Sequence, residues 1–172
     1  TLAGLKPSNL FALDIKYFEN HSDEIEKIYQ DITKKGYDIV VIERTENTRL
    51  IFIYNINMLY SFINTDVKKY LHRINYPKFN DVEEYLYHML WKIKFQKDTF
   101  PDEIGFFLGI PYLDVVNFIT NKGKDPLFSG YWQVYQNPVE MKSLFKLYDD
   151  CRKNNLLNYK KGTPFHDLIA QT

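Results

Sequence analysis

Apolar positions recur at helical spacing in several stretches and run together in two others. Between Ser22 and Lys35, Ile25, Ile28, Tyr29 and Ile32 fall at i, i+3, i+4 and i+7. That spacing predicts an amphipathic helix, with Ser22 as N-cap and Gly36 as its stop. Tyr37–Arg44 and Arg49–Asn55 carry the unbroken runs Ile39-Val40-Val41-Ile42 and Leu50-Ile51-Phe52-Ile53 around a polar turn at Thr45–Thr48. They predict a β-hairpin whose strands are covered on both faces. Ile56–Ile63 reads as a short helix or as the strand running on. Thr65–Asn75 is a clearer helix, with Val67, Tyr70, Leu71 and Ile74 on one face, ended by Tyr76-Pro77. Asn80–Lys97 is the longest helix. Asn80 with Glu83 makes its capping box, and Val82, Leu86, Met89, Leu90 and Ile93 its core stripe. Tyr85, Tyr87, Trp91 and Phe95 widen the stripe, which predicts neighbours on two sides.

The ends of the chain are less regular. In Leu2–Leu13, Gly4 and Pro7 break any period and Ser8 caps a short helical turn, so the segment packs its leucines and Phe11 on the body. Lys6, beside Pro7-Ser8-Asn9, could hold an anion; the plainer reading leaves it solvated. Tyr131–Tyr135 alternates, with Trp132 and Val134 on one face and Tyr131, Gln133 and Tyr135 on the other. It predicts a third strand beside the hairpin. Asn137-Pro138 opens a helix carrying Met141, Leu144, Phe145, Tyr148 and Cys151 at helical spacing, which makes Cys151 a small core residue. Arg152–Gly162 is polar, and a last short helix falls around Phe165–Ile169. The fold class that follows is α+β: a small antiparallel sheet, hairpin plus third strand, packed against several helices in a single domain, 1–172.

Phe100–Tyr135 gathers glycines and prolines around two helix-like segments. Pro101 suits a first helical position, Asp102 and Glu103 the positive end of the dipole, and Ile104, Phe107 and Leu108 the core. Gly109 ends that helix. Pro111 starts a second one, which Lys122-Gly123 closes. Gly105 stands where the two would cross. This is a helix-turn-helix-like corner, and a DNA-binding regulator would read bases with Tyr112–Asn121. Charge argues against nucleic acid: 101–121 holds Asp102, Glu103 and Asp114 and no Lys or Arg.

Composition narrows the functional classes. The 172 residues carry no net charge and are 45% hydrophobic and 17% aromatic, enough for one sizeable core. Neutrality gives no pull on a polyanion or an anionic membrane. No apolar run is long enough to span a bilayer, and no signal-peptide pattern opens the chain. The single cysteine excludes an internal disulfide and any multi-cysteine metal site, and points to the cytoplasm. No Walker loop, GxGxxG, HExxH or GxSxG is present, so no cofactor, metal or catalytic residue is assigned. An enzyme would need Glu84, His88 or Asp102 to converge. Arg44 and Arg49 could meet an acidic group, but a solvated cross-strand pair near Glu43 and Glu46 is simpler. The expectation is a non-catalytic binding or protein-interaction module, for an unknown protein or small molecule. Its surface combines Asn121, Lys122, Gly123 and Lys124 with Tyr131 and Tyr135: a capped helix end followed by an aromatic strand able to stack a flat ligand.

Read together, LAGLKPSNLF, DEIGFFLGIPYLDVVNFITNKGK and SGYWQVY resemble the bacterial family called domain of unknown function 3793. The resemblance runs from the N-terminal LAGLKPSNL to about Arg152. It implies one intact domain and supplies no activity. In that family a His often precedes the EIG segment, where this chain has Asp102. A cysteine pair often precedes GYW, where this chain has Leu127-Phe128-Ser129. The resemblance implies that any metal or redox site at those positions in relatives is lost here.

Overall fold

The computed structural model describes residues 1–43, 45–96 and 99–170. Its sheet is organised about a central strand, β3 (Thr48–Tyr54), which pairs antiparallel with β2 (Asp38–Glu43) and with β1 (Ser8–Asp14). The hairpin is as the sequence predicts, and Arg49 reaches its register partner Glu43 across the strands at 3.6 Å. Arg44 lies outside the described residues. Alternation divides the sheet into two faces. Leu10, Val40, Ile42, Leu50, Phe52 and Tyr54 join the main core. Leu13, Ile39, Ile51 and Ile53 join a second core with Ile32, Tyr37 and Ile169. The main-core face is therefore covered as the apolar runs require, while the second face is covered only in part, with Val41 and Phe11 exposed on it.

The third strand is β1, not Tyr131–Tyr135. The N-terminal segment is extended rather than a helical turn because it is tied at its start. The Asn55 N–H donates to the Pro7 carbonyl at 2.8 Å, and the buried Ser8 Oγ donates to the Phe107 carbonyl at 2.6 Å. From there β1 stays in register with β3 from Ser8↔Tyr54 to Asp14↔Thr48. Asp14 ends the strand by capping α1 (Ile15–Asn20), and α2 (Ser22–Thr33) follows with Ile32 fully buried.

The main core is closed by α3 (Ile56–Phe62), α4 (Thr65–Arg73) and α5 (Val82–Phe95). The capping box of α5 is Asp81 with Glu84, one residue beyond the Asn80–Glu83 pair that the sequence suggests. Tyr87, Trp91 and Phe95 are 50–58% exposed, so α5 is covered on one side only. Lys97, the expected end of this helix, lies outside the described residues.

The helical corner is real but lopsided. α6 (Ile104–Phe107) is a single turn, entered through tight turns in which Ile104, Gly105 and Phe106 bond back to the carbonyls of Pro101, Asp102 and Glu103. α7 (Tyr112–Asn121) follows. Gly105 marks the crossing, since a Cβ there would lie 2.8 Å from Val115 Cγ2. Gly109 turns the chain at φ +78° and leaves room for Pro7, whose Cδ would be 2.4 Å from an added Cβ.

Two-residue strands β4 (Phe128–Ser129) and β5 (Gln133–Val134) form a separate ribbon. α8 (Pro138–Lys160) continues through the polar segment from Arg152, and a 3₁₀ turn at Phe165–Leu168 ends the described chain. Among the described residues no helix is long and apolar enough to cross a membrane.

Candidate functional site

The ribbon is held between α7 and α8 by a buried carboxylate and by aromatic contacts with Phe145. Asp114 is 1% exposed. Its Oδ1 accepts from the backbone N–H groups of Tyr135 at 2.9 Å and Gln136 at 3.2 Å, and its Oδ2 from the Trp132 indole N–H at 2.8 Å. Those donors offset the desolvation of the charge. They also use the backbone N–H that Tyr135 would need for a longer strand. Trp132 stands edge-on to Phe145 of α8 at 4.5 Å, and Gly130 lies so close that a Cβ would meet Phe145 Cε2 at 2.3 Å.

Between the helical corner and this ribbon is a cleft of about 370 Å³. Ile104, Leu108, Val115, Phe118 and Trp132 supply its apolar walls. Its polar groups are Asp102, Asp114, Ser129 and Gln133, and among the described residues no Lys, Arg or His lines it. Asp102 is exposed; partial burial and the negative charge of Glu103 hold its carboxyl above the usual carboxylate value. Asp102 and Ser129, at the two places where the chain departs from the pattern of the family it resembles, thus face one cleft.

Glu103 itself is turned inward. It pairs with Lys92 and accepts from the Tyr76 hydroxyl at 3.0 Å. Burial and this carboxylate push the Tyr76 phenol far above its ordinary value. The Lys92 ammonium lies 5.0 Å from the Tyr76 ring centroid, and His88 stands edge-on to the same ring at 4.6 Å. Burial and Lys92 lower the His88 imidazole. Glu84 is committed to capping, accepting from the Asn80 and Asp81 N–H groups at 3.1 Å. Of the three groups that an enzyme reading names, Glu84 and His88 share a shallow surface hollow with Trp91, and Asp102 lies apart from them in the cleft. Among the described residues no group of three His, Cys, Asp or Glu side chains is placed to hold a metal ion.

The residues expected to form the binding surface are divided. Asn121, Lys122 and Lys124 are exposed at the end of α7, where Lys122 (φ +53°) and Gly123 (φ +72°) make the cap and the Gly123 N–H returns to the Phe118 carbonyl at 2.9 Å. Gly123 abuts the Phe118 ring, and Gln133 Oε1 would lie 3.5 Å from an added Cβ. The Tyr135 hydroxyl donates to the same Gln133 Oε1 at 3.0 Å. Gly123 and Tyr135 therefore both adjoin the Gln133 side chain, which lines the cleft, while neither lines it. Tyr131 faces the other way: its hydroxyl donates to Asp149 of α8 at 2.9 Å, and its ring packs on Phe145 and Tyr148. It lines a second cleft, with the half-buried Cys151. Sequence reasoning missed Asp114 and Trp132. Asp114 reads as an ordinary acid in the first turn of a helix, and only its place beside core residue Val115 hinted at burial.

A family model described as protein of unknown function, DUF3793, matches residues 1–169. No curated protein and no solved structure matches the chain. The segments that carried the resemblance are those that lock together here, through Ser8 with Phe107, Pro7 with Gly109, and Asp114 with Trp132. The chain belongs to the DUF3793 family.

Proposed function

We propose that the protein is a non-catalytic cytoplasmic binding module of bacterial cells, and that its ligand is a small organic cation with an apolar body. The observation that carries this reading is the cleft between corner and ribbon, with apolar and aromatic walls and two carboxylates and, among the described residues, no basic side chain. Its volume of about 370 Å³ falls in the range of small-molecule sites. Phe118 and Trp132 suit a cation as well as an apolar body. Asp114 is fully engaged by the ribbon, which leaves Asp102 as the counter-charge with no ion pair among the described residues.

Calorimetric titration with 2-phenylethylamine and with 3-phenylpropionate tests this. The amine is expected to bind and the acid not to. Asp102→Asn should weaken the amine about 10-fold, the size of one charge-assisted contact. Equal binding of both probes, or an unchanged Asp102→Asn affinity, would remove the proposal.

A protein-interaction role is the second reading, favoured by the exposed Tyr87, Trp91 and Phe95 along α5. Analytical ultracentrifugation of Trp91→Ala against the unaltered chain would expose self-association through that stripe. A DNA-reading role has less support: α6 is one turn long, and 101–121 lacks any basic residue to neutralise phosphates.

A further inference from the structure

The second cleft, of about 540 Å³, lies between the N-terminal segment, α2 and α8. Its polar groups are mostly donors. Lys6 enters from the strand approach, with its Nζ donating to Asn9 Oδ1 at 2.8 Å. Tyr148 and Arg152 stand one turn apart on α8 and also line it. Among the described residues no Asp or Glu lines the cleft, and neither Lys6 nor Arg152 forms an ion pair. Burial holds the Lys6 ammonium below its usual value, a penalty that an arriving anion would relieve.

The apolar wall does not stop at this cleft. Phe11, Ile28 and Ile53 line it and also line a neighbouring pocket of about 300 Å³ along the outer sheet face, where Ile25, Ile39 and Val41 continue the surface. The far pocket contains Glu24 and Glu26, so a negative head is repelled there and drawn to the Lys6 end. Charge therefore sets the direction of an elongated guest.

We infer that this paired cleft binds an aliphatic carboxylate of the fatty-acid class, its head between Lys6 and Arg152 and its chain along Phe11, Ile28 and Ile53. The site is separate from the cleft of the proposed function and stands or falls independently of it.

The test is calorimetric titration of the full chain with decanoate, decan-1-ol and decyltrimethylammonium, which share a tail and differ in the head. Decanoate is expected to bind one to one, at least about 10-fold more tightly than either other probe, as one or two charge-assisted hydrogen bonds would give. Octanoate, two methylenes shorter, should bind about 10-fold more weakly than decanoate. Arg152→Met should weaken decanoate about 10-fold. Lys6→Met should do the same, and if its circular dichroism shows a lost fold, the exposed Arg152 position still decides. Asp102→Asn should leave decanoate unaffected. No decanoate binding, equal binding of the alcohol or the cation, or an unchanged Arg152→Met affinity would each overturn the inference.

Discussion

The Trp132 indole N–H donates to the buried Asp114 carboxylate at 2.8 Å, joining residues eighteen positions apart. With the two backbone donors from Tyr135 and Gln136, this contact sets where the ribbon sits and so shapes the cleft. Asp114→Ala strips the partners from those buried donors. It should destabilise the fold by about 3 kcal/mol or more in urea unfolding. Trp132→Phe keeps a ring against Phe145 and loses only the indole donor, at about 1–2 kcal/mol. An Asp114→Ala loss no larger than that of Trp132→Phe would contradict this account of the ribbon.

Lys92, Glu103 and Tyr76 form a second buried polar cluster beneath the corner, with Glu103 6% exposed. Glu103→Gln leaves the Lys92 ammonium without its counter-charge and should lower stability by about 3 kcal/mol. Tyr76→Phe removes one hydrogen bond and should cost about 1 kcal/mol. The double variant Lys92→Met/Glu103→Met should recover much of the Glu103→Gln loss, because no charge then stays buried unpaired. Thermal denaturation of the four proteins checks the order.

Gly109 and Gly162 share a left-handed backbone but not a neighbourhood. An added Cβ meets Pro7 Cδ at 2.4 Å at Gly109 and nothing within 4 Å at Gly162. Gly162→Ala should therefore cost only the conformational term, about 1 kcal/mol. Gly109→Ala adds displacement of Pro7 and should cost about 2–4 kcal/mol, with β1 loosened. Hydrogen exchange at β1 amides should accelerate in Gly109→Ala and not in Gly162→Ala.

Ligand binding should depend on pH through Asp102. Its carboxyl lies above the ordinary 3.8 because of burial and Glu103, and a bound cation favours the ionised form. Affinity for 2-phenylethylamine is thus full well above that raised value and falls as pH drops through it, with a proton released on binding. The His88 shift has the same kind of origin, burial and the like charge of Lys92, and runs in the opposite direction. The folded state disfavours its charged form, so stability is full above 6.5 and declines as pH falls below it. Unfolding midpoints between pH 8 and pH 5 should fall less for His88→Gln than for the unaltered chain.

Much of the fold is legible locally. The apolar runs of β2 and β3 announce the hairpin, though its second face is covered only in part, and helical spacing marks α2, α4, α5 and α7. The failures share one cause, a partner far away in the chain. β1 looks like a broken turn because Gly4 and Pro7 punctuate it; it becomes a strand through β3 and through the Ser8–Phe107 bond, whose residues are 99 apart. Tyr131–Tyr135 alternates like a strand, but alternation does not say which sheet it joins, and Asp114 claims the Tyr135 N–H. The helix cap moves from Asn80 to Asp81 because neighbouring residues offer the same chemistry. In the candidate site, Gly123 and Tyr135 flank Gln133, which lines the cleft, without lining it themselves. Tyr131 is drawn off by Asp149, a contact that spacing alone does not encode.

The most direct test uses the chain's own reporter. Trp91 and Trp132 are the two tryptophans, and only Trp132 lines the cleft. In Trp91→Phe, all tryptophan emission comes from Trp132. Titration with 2-phenylethylamine should change that emission saturably, and the midpoint should move about 10-fold higher in Trp91→Phe/Asp102→Asn. An emission that stays flat, or that responds equally to 3-phenylpropionate, would contradict a cation-binding cleft between corner and ribbon.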